Sequence, residues 1–331
     1  MHHVVFVVYP GFELLDMSGP AAVFDGVNHV LTEAGKSGFY EISIVSATGG
    51  AIESSSGVVV HSKPFSALES VHVDTLLVMG AQKGHLLRVL GDPGLRAWLT
   101  GMAGRLPRFG SVCSGAFLLA SLGLVDGRVV ATHWNACDPL TRAYPRVKVD
   151  SDALFVVDEE LWTSAGVTTG IDMALAMVAR DIDAAIAGEV ARGLVLYARR
   201  PGFQSQFSPL LQAQSRADGP FAELIGWIMS NLSSKLDVPA IAARAGLSER
   251  TFHRRFVAAT GDTPARFIES ARLDAARMLL TRGMSLKSVA ARVGLSPARF
   301  AEAFERRFGI TPTLFRETHA ELPDRAHRRT R

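Results

Sequence analysis

Short apolar runs alternate with stretches of helical spacing through residues 1–200 of the chain. The apolar runs predict buried strands at His3–Val8, Glu41–Ala47, Asp74–Met79 and Phe109–Val112, and a hairpin-sized pair at Ala153–Val157 and Glu160–Ser164. Helical spacing follows a loop within Phe12–Phe24 and recurs at Leu95–Met102, Gly115–Leu122, Thr169–Arg180 and Asp183–Tyr197. This alternation predicts an α/β sandwich with a mostly parallel sheet, in which ligands bind at the carboxyl ends of the strands.

Gly, Pro and polar residues interrupt this pattern. Thr48-Gly49-Gly50 and Gly80-Ala81 each follow a strand and predict tight turns. Between Gly202 and Gly219 the chain is rich in Gln and Ser, with Pro209 inside the stretch and Pro220 directly after it. Polar residues and prolines without an apolar period are typical of an inter-domain linker. We therefore expect a first domain at 1–200, a linker at 201–220, a second domain at 221–318 and a solvated basic tail at 319–331.

The helical pattern after the linker occurs twice. Residues 241–264 align without a gap on residues 289–312, an offset of 48 residues. Each copy reads as a short apolar-faced helix, a glycine, a capping serine, and a second helix with two phenylalanines four residues apart. The matching residues are Gly246 and Gly294, Ser248 and Ser296, Phe252 and Phe300, and Phe256 and Phe304. A glycine in a short turn between two helices predicts a helix-turn-helix.

Polar and basic side chains lie opposite the phenylalanines on the second helix of the first copy: Arg250, Thr251, His253, Arg254 and Arg255. Since Arg binds guanine edges and phosphates, this face predicts contact with double-stranded DNA. The alternative, a helical repeat pair that does not touch DNA, gives no reason for such a face. In the second copy the candidates for DNA contact are Arg299 and Arg306, and the neighbouring outward residues are Ala298, Ala301 and Glu302. Because this face has few basic side chains, we expect the second copy to position the domain on the DNA more than it reads the base sequence.

The charge is distributed unevenly along the chain. Residues 221–331 hold 19 Lys and Arg against 11 Asp and Glu, whereas residues 1–220 hold 16 against 21. This asymmetry predicts that the second domain binds a polyanion and that the first domain binds a different kind of ligand. Two cysteines do not make a disulfide scaffold, and no apolar run approaches the about 20 residues of a membrane span. We expect a cytoplasmic protein without membrane contact, cofactor or metal.

Cys113 lies between a predicted strand and a predicted helix, in Ser111-Val112-Cys113-Ser114-Gly115. Small residues on both sides are typical of a strained strand-to-helix elbow, where the helix dipole favours a thiolate. The alternative is a small buried cysteine without chemistry, the commoner role. Asp16 and His133 also follow predicted strands, although each alone would more often be a helix cap or an ordinary core or surface histidine.

Residues 221–316 resemble the DNA-binding domain of the AraC/XylS family. The frames A-x-x-x-G-[LM]-S and F-x-x-x-F occur in both copies, and G-I-T-P-x-x-[FY]-R occurs at Gly309–Arg316. The resemblance implies an all-α domain with two helix-turn-helix units, joined by a long helix at Thr263–Leu280.

Residues 3–200 resemble the ThiJ/PfpI superfamily, which is related to class I glutamine amidotransferases. The motifs L-L-D-x-x-G-P, V-C-[ST]-G-A-F-x-L-A, T-x-H-W and T-S-A-G-x-x-x-G-I-D are matched at Leu14–Pro20, Val112–Ala120, Thr132–Trp134 and Thr163–Asp172. This resemblance implies a flavodoxin-like fold, with Cys113 as the elbow cysteine, Asp16 as the acid and His133 as the downstream histidine. The subgroup includes isonitrile hydratases and the GlxA-type transcriptional regulators, whose domain order this chain shares.

The combined resemblance predicts a sequence-specific DNA-binding transcriptional regulator, which we expect to be an activator. The implied effector pocket is lined by Asp16, Gly80, Cys113, Ser114, His133, Trp134 and Val167. The expected partners are a small zwitterionic amino-acid derivative, DNA, RNA polymerase and a second copy of the chain. The alternative is a Cys-dependent hydratase or hydrolase that carries a DNA-binding module and uses Cys113, Asp16 and His133. The fused DNA domain favours the regulator, so we expect no catalysis.

Overall fold

The structure is a computed structural model that describes residues 1–196, 200, 202, 206, 220–281, 283–308 and 310–319. The chain divides into two compact units, Met1–Gln206 and Phe207–Arg331. Most of the predicted linker 201–220 and of the predicted tail 319–331 lies outside the described residues.

The first unit is built on an eight-stranded sheet with the strand order β3-β4-β2-β1-β5-β6-β10-β9. The central strands β1, β2, β5, β6 and β10 run parallel, and β3 and β9 pair antiparallel at the two edges. The strands are β1 His2–Val7, β2 Tyr40–Ser46, β3 Thr48–Glu53, β4 Val59–Pro64, β5 Thr75–Val78, β6 Arg108–Val112, β9 Phe155–Asp158 and β10 Leu161–Ser164, with β7 Val129–Val130 and β8 Lys148–Val149 in a separate two-stranded sheet. The predicted flavodoxin-like, mostly parallel sheet is confirmed.

The described part of the first unit contains seven α-helices between and after these strands: α1 Leu14–Glu33, α2 Lys83–Leu90, α3 Pro93–Ala103, α4 Ala116–Ser121, α5 Cys137–Ala143, α6 Thr169–Asp181 and α7 Ala184–Gly193. Helices α1, α6 and α7 pack against one another, and α2 packs against α4. Helix α1 continues past the predicted end at Phe24 because Val27 and Leu31 extend its buried stripe.

The predicted turn at Thr48-Gly49-Gly50 is wrong, because these residues begin strand β3. Thr48 pairs with Pro64 and Gly50 with Ser62, so the ladder keeps one register and Gly49 lies opposite Lys63. A β-carbon on Gly49, whose φ is +71°, would lie 2.7 Å from the nitrogen of Pro64. The glycines therefore belong to an edge strand in which the two backbones approach closely, and local composition does not distinguish such a strand from a turn.

The described part of the second unit is helical: α8 Pro220–Ser230, α9 Val238–Arg244, α10 Glu249–Thr260, α11 Pro264–Thr281, α12 Leu286–Arg292, α13 Pro297–Phe308 and α14 Pro312–His319. Helices α9 and α10 form the first helix-turn-helix, and α12 and α13 form the second. Gly246 and Gly294 end the first helix of each pair at φ +64° and +69°. The four phenylalanines at 252, 256, 300 and 304 are buried. Both predicted units are confirmed, with α11 as the joining helix.

Candidate functional sites: the cysteine elbow and the recognition helices

Strand β6 ends at Val112 and the chain turns through Cys113–Gly115 into α4. Cys113 has a φ of +58°, a conformation that residues with a side chain seldom adopt. A β-carbon on Gly115 would lie 2.3 Å from the carbonyl oxygen of Val78, so this position accepts only glycine. The strained elbow predicted from the small residues around Cys113 is therefore present.

Two glycines border the Cys113 side chain. A β-carbon on Gly80 would lie 2.7 Å from Cβ of Cys113 and 2.8 Å from Oδ2 of Asp16. A β-carbon on Gly166 would lie 2.8 Å from Sγ of Cys113. Because Gly80 and Gly166 follow β5 and β10, the carboxyl ends of three neighbouring strands meet at the thiol.

Asp16, in the first turn of α1, is completely buried beside the elbow. Its Oδ1 accepts a hydrogen bond of 2.6 Å from the Val167 N–H, and its Oδ2 accepts one of 3.3 Å from the Gly80 N–H. Burial raises the pKa of Asp16 to about 6, although the Val167 N–H opposes this shift. The carboxylate is thus fixed by two backbone donors from different loops.

The thiol of Cys113 is also buried, and the Asp16 carboxylate acts on it electrostatically. Burial and then the negative charge of Asp16 raise the pKa of Cys113 well above its usual range, against the opposing effect of the Ser114 N–H. The expected thiolate is therefore wrong: α4 has only six residues and a weak dipole, which does not offset desolvation. The raised pKa favours the protonated thiol beside the Asp16 carboxylate.

Ser114 fastens the elbow to the turn after β5. Its hydroxyl donates to the carbonyl oxygen of Ala81 at 2.8 Å and accepts from the Ala81 N–H at 2.9 Å. The structure thus brings together five of the seven predicted pocket residues: Asp16, Gly80, Cys113, Ser114 and Val167.

His133 and Trp134 are the other two predicted pocket residues. Nδ1 of His133 lies 2.6 Å from Oδ1 of Asn135, and its ring lies 5.5 Å from that of Trp134. Within the described chain the imidazole makes no hydrogen bond to Cys113 or Asp16. The connection to the elbow is instead made by Thr132, whose hydroxyl donates to the carbonyl oxygen of Cys113 at 2.9 Å.

Sequence reasoning missed Glu13 and Tyr9. Oε2 of Glu13 accepts a 2.8 Å hydrogen bond from Ser55, and the negative charge of Glu13 contributes to the raised pKa of Asp16 and of Cys113. The Tyr9 hydroxyl donates to the carbonyl oxygen of Met79 at 2.6 Å, which holds the end of β5 in place. Both residues follow β1, as Asp16 does. Their position after the same strand is the sequence signal that could have placed them at the site.

In the second unit, the predicted DNA-contacting side chains of α10 are accessible. Arg250, His253, Arg254 and Arg255 are exposed, and none of them forms an ion pair with another residue of the described chain. Thr251 is half-buried, and its hydroxyl accepts from Ser248, which also caps the helix.

Helix α13 presents a different surface. Arg299 is exposed near its start. Arg306 is bound within the protein, with Nη2 at 3.1 Å from Oε1 of Glu269 on α11 and Nη1 at 3.9 Å from Oε1 of Glu302. Two carboxylates thus already neutralise part of the positive charge that the sequence assigns to this face.

Among the described helices, none has both the length and the apolar character required to cross a membrane.

Two different families of known proteins match two separate parts of the chain. Residues 2–180 match the DJ-1/PfpI family, and residues 241–318 match a helix-turn-helix domain. The HTH-type transcriptional regulator CdhR of Pseudomonas aeruginosa is 29% identical over 83% of this chain and 79% of its own length. The isonitrile hydratase of Pseudomonas putida is 29% identical over 60% of this chain and 80% of its own length.

A solved structure of a ThiJ/PfpI family protein from Pseudomonas syringae is also similar. It superposes with a TM-score of 0.52 at 25% identity and covers 60% of this chain and 77% of the solved chain. The elbow, the parallel sheet and the match over more than half of the sequence all indicate the same family. The chain belongs to the DJ-1/PfpI family and carries a C-terminal helix-turn-helix domain of the AraC type.

Proposed function

We propose that this protein is a DNA-binding transcriptional regulator that responds to a small molecule bound at the Cys113 elbow. The observation that carries the proposal is the pairing, in one chain, of two complete capped helix-turn-helix copies with a buried elbow site. The similarity to CdhR supports it, because that similarity extends over both units and CdhR is a transcriptional regulator.

The DNA interface that we propose is uneven. Helix α10 supplies Arg250, Thr251, His253, Arg254 and Arg255, whose accessible basic groups can reach base edges and phosphates. Helix α13 supplies Arg299 and Arg306, of which Arg306 must give up its carboxylate partners to bind a phosphate. The first copy therefore carries most of the sequence recognition.

The effector that we propose is a small zwitterion, such as an amino-acid derivative. The acidic groups of Asp16 and Glu13 favour a ligand with a cationic group near the elbow. Trp134, which is 53% exposed, offers a ring face for a quaternary ammonium. A backbone N–H at the elbow suits the carboxylate of such a ligand.

The alternative is turnover by a Cys113 nucleophile, and the similarity to isonitrile hydratase favours it. Nucleophilic catalysis requires a thiolate together with a group that moves a proton. The raised pKa of Cys113 opposes the thiolate, and His133 is bound to Asn135. A regulator also gains nothing by destroying its signal, so we propose binding without catalysis.

Three further features complete the proposal. Two copies of the chain would present two double helix-turn-helix units to two half-sites. Bound beside a promoter, the second unit would contact RNA polymerase and activate transcription. These roles place the protein in the cytoplasm with the DNA.

The proposal is tested first with DNA alone. Full-length protein is used to select duplexes from a random pool, and the selected sequence is compared with scrambled DNA. We expect binding tighter by a factor of about 10³ or more for the selected duplex. Equal affinity for both duplexes would contradict sequence-specific regulation.

The effector site is tested with two matched variants, Cys113→Ser and Cys137→Ser, each of which alters one buried thiol of the first unit. Small metabolites are screened by thermal shift, and each hit is assayed for its effect on DNA binding and for turnover. We expect Cys113→Ser to keep the DNA affinity of the ligand-free protein and to lose the ligand effect. Turnover that only Cys113→Ser abolishes, with the ligand effect retained, would favour the enzyme.

A further inference from the structure

The last described residues of the first unit are bonded to earlier parts of that unit, including the two loops that touch the elbow. These residues are Arg200, Gly202 and Gln206. We call these three residues together the strap.

Arg200 holds the first end of the strap against the loop that follows β10. Its N–H donates to Oδ1 of Asp172 at 2.9 Å, and its Nε and Nη2 donate to Oδ2 at 2.9 and 2.6 Å. Nη2 also donates to the hydroxyl of Thr168 at 2.8 Å. Asp172 is 5% exposed, so this is a nearly buried ion pair that fixes both the backbone and the side chain of Arg200.

Thr168 directly follows Val167, whose N–H is the 2.6 Å donor to Asp16. Val167 is held at a φ of +53°, which leaves the loop few alternative conformations. A continuous path of bonds therefore joins Asp16 to the Arg200 guanidinium through Val167 and Thr168.

Gln206 holds the other end of the strap against the loop that follows β7. Its Nε2 donates to the carbonyl oxygens of Thr132 and Ala153, each at 3.0 Å. Thr132 in turn donates its hydroxyl to the carbonyl oxygen of Cys113. A single residue, Thr132, therefore links the elbow to Gln206.

Gly202 fixes the register of the strap between these two ends. Its carbonyl oxygen accepts from the N–H groups of Leu154 and Phe155 at 2.6 and 3.1 Å. A β-carbon on Gly202 would lie 2.4 Å from the carbonyl oxygen of Phe155, so no larger residue fits. Gly202 is thus held in one register against Leu154 and Phe155.

We propose that the strap couples the state of the Asp16–Cys113 site to the chain that leads toward the DNA-binding unit. A ligand that displaces Asp16 or the elbow changes the bonds of Val167 and Thr132 and shifts the strap between its bound and released states. This inference rests on the proposed function for its biological meaning, but the coupling itself is a property of the first unit alone. Coupling between two sites is reciprocal, so it can be measured from either end.

The experiment follows amide hydrogen exchange in the full-length protein. In one direction the strap is weakened by Arg200→Met or Gln206→Met, and exchange is measured in residues 130–135 and 164–170. We expect exchange there to rise by about fivefold or more, the factor that corresponds to one lost hydrogen bond. Arg192→Met is the matched control, since this exposed arginine pairs only with Glu189 within the described chain.

In the other direction the site is altered by Asp16→Asn, which keeps the shape of the side chain, and exchange is measured in residues 200–206. A similar rise is expected, with exchange in β1 unchanged as evidence of an intact fold. Unchanged exchange in the strap, or equal effects of Arg200→Met and Arg192→Met, would overturn the coupling.

DNA binding of the same preparations separates the two proposals. Selective DNA binding without coupled exchange would reject the strap and leave the regulator standing. Coupled exchange without selective DNA binding would support the strap and reject the proposed regulator.

Discussion

The two helix-turn-helix copies share the glycine, serine and phenylalanines that fold them and differ in the side chains of their outer face. In both, a glycine with positive φ ends the first helix, a serine hydroxyl caps the second, and two buried phenylalanines pack with ring centroids 5.3 and 5.5 Å apart. Position 254, which is Arg in the first copy, corresponds to Glu302 in the second. The two copies thus share the residues that fold the motif and differ in the residues that the motif exposes.

Ion pairs within the second unit increase this difference between the exposed faces of the two copies. Arg306 and Arg307 of α13 bind Glu269 and Asp274 of the joining helix α11, at 3.1 and 3.0 Å. On α10, Arg250, Arg254 and Arg255 form no such ion pairs within the described chain. Arg306 and Arg307 therefore hold α13 against α11, whereas Arg250, Arg254 and Arg255 remain available to a ligand.

The largest difference between the copies should appear when each turn glycine is changed to alanine. Both glycines have positive φ, which costs about 1–2 kcal/mol for a residue with a side chain. A β-carbon on Gly246 meets nothing within 4 Å, but one on Gly294 lies 2.6 Å from the carbonyl oxygen of Leu232 and 2.9 Å from Nη2 of Arg272. We expect Gly246→Ala to lose about 1–2 kcal/mol of unfolding free energy and Gly294→Ala about 2–5 kcal/mol.

These losses can be measured by urea unfolding of the full-length protein, followed through amide exchange in residues 238–260 and 286–308. Equal losses for Gly246→Ala and Gly294→Ala would show that the close contacts around Gly294 relax without cost.

The next effect concerns DNA affinity. Arg254→Ala should cost about 1–3 kcal/mol of binding free energy on the selected duplex, because its exposed guanidinium is free to bind a base edge. Arg306→Ala should cost less than about 1 kcal/mol, since that side chain already pairs with Glu269 and Glu302 in a half-exposed setting. Fluorescence anisotropy with labelled DNA measures both, and a larger loss for Arg306→Ala would invert the proposed division of labour.

The serine caps should show where the copies are equal. Ser248 Oγ accepts from the Thr251 N–H at 3.4 Å, and Ser296 Oγ accepts from the Arg299 N–H at 3.3 Å. Replacing either serine with alanine should cost about 1 kcal/mol of stability. Ser288→Ala is the control, because that exposed side chain caps no helix. A clear difference between Ser248→Ala and Ser296→Ala in thermal unfolding would contradict the equivalence of the two folds.

The smallest effect is a gain. Glu302→Gln should strengthen DNA binding by about 0.5 kcal/mol, because it removes a charge that repels phosphate and holds Arg306. Glu223→Gln on α8 removes the same charge outside both copies and should leave affinity unchanged. Should Glu302→Gln weaken binding instead, the carboxylate accepts from a cytosine and the second copy reads sequence after all.

The sequence predicts the second unit well because its signals are local. Glycine, serine and phenylalanine at fixed spacing specify each helix-turn-helix, and Phe267 and Phe315 extend the repeat to a third helix by packing 5.3 and 5.4 Å from Phe256 and Phe304. The aligned segments end before these two residues, so this third element of the repeat was not anticipated.

The elbow was predictable as a backbone feature but not as an electrostatic one. Ser111–Gly115 predicts the turn, whereas the protonation state of Cys113 depends on Asp16 and on burial between Gly80 and Gly166. These neighbours come from distant parts of the chain, and spacing along the sequence gives no measure of their desolvation. Nor could composition alone separate the edge strand at Gly49 from a turn.

The joining helix α11 also has a consequence for the DNA. It is a single helix of 18 residues, about 27 Å long, and it packs against α10, α12, α13 and α14. The distance between the two recognition helices is therefore set by the protein. One base pair inserted between the two recognised segments would move the second by about 3.4 Å and rotate it by about 35°. An operator for this protein should tolerate substitutions between its two segments far better than insertions or deletions.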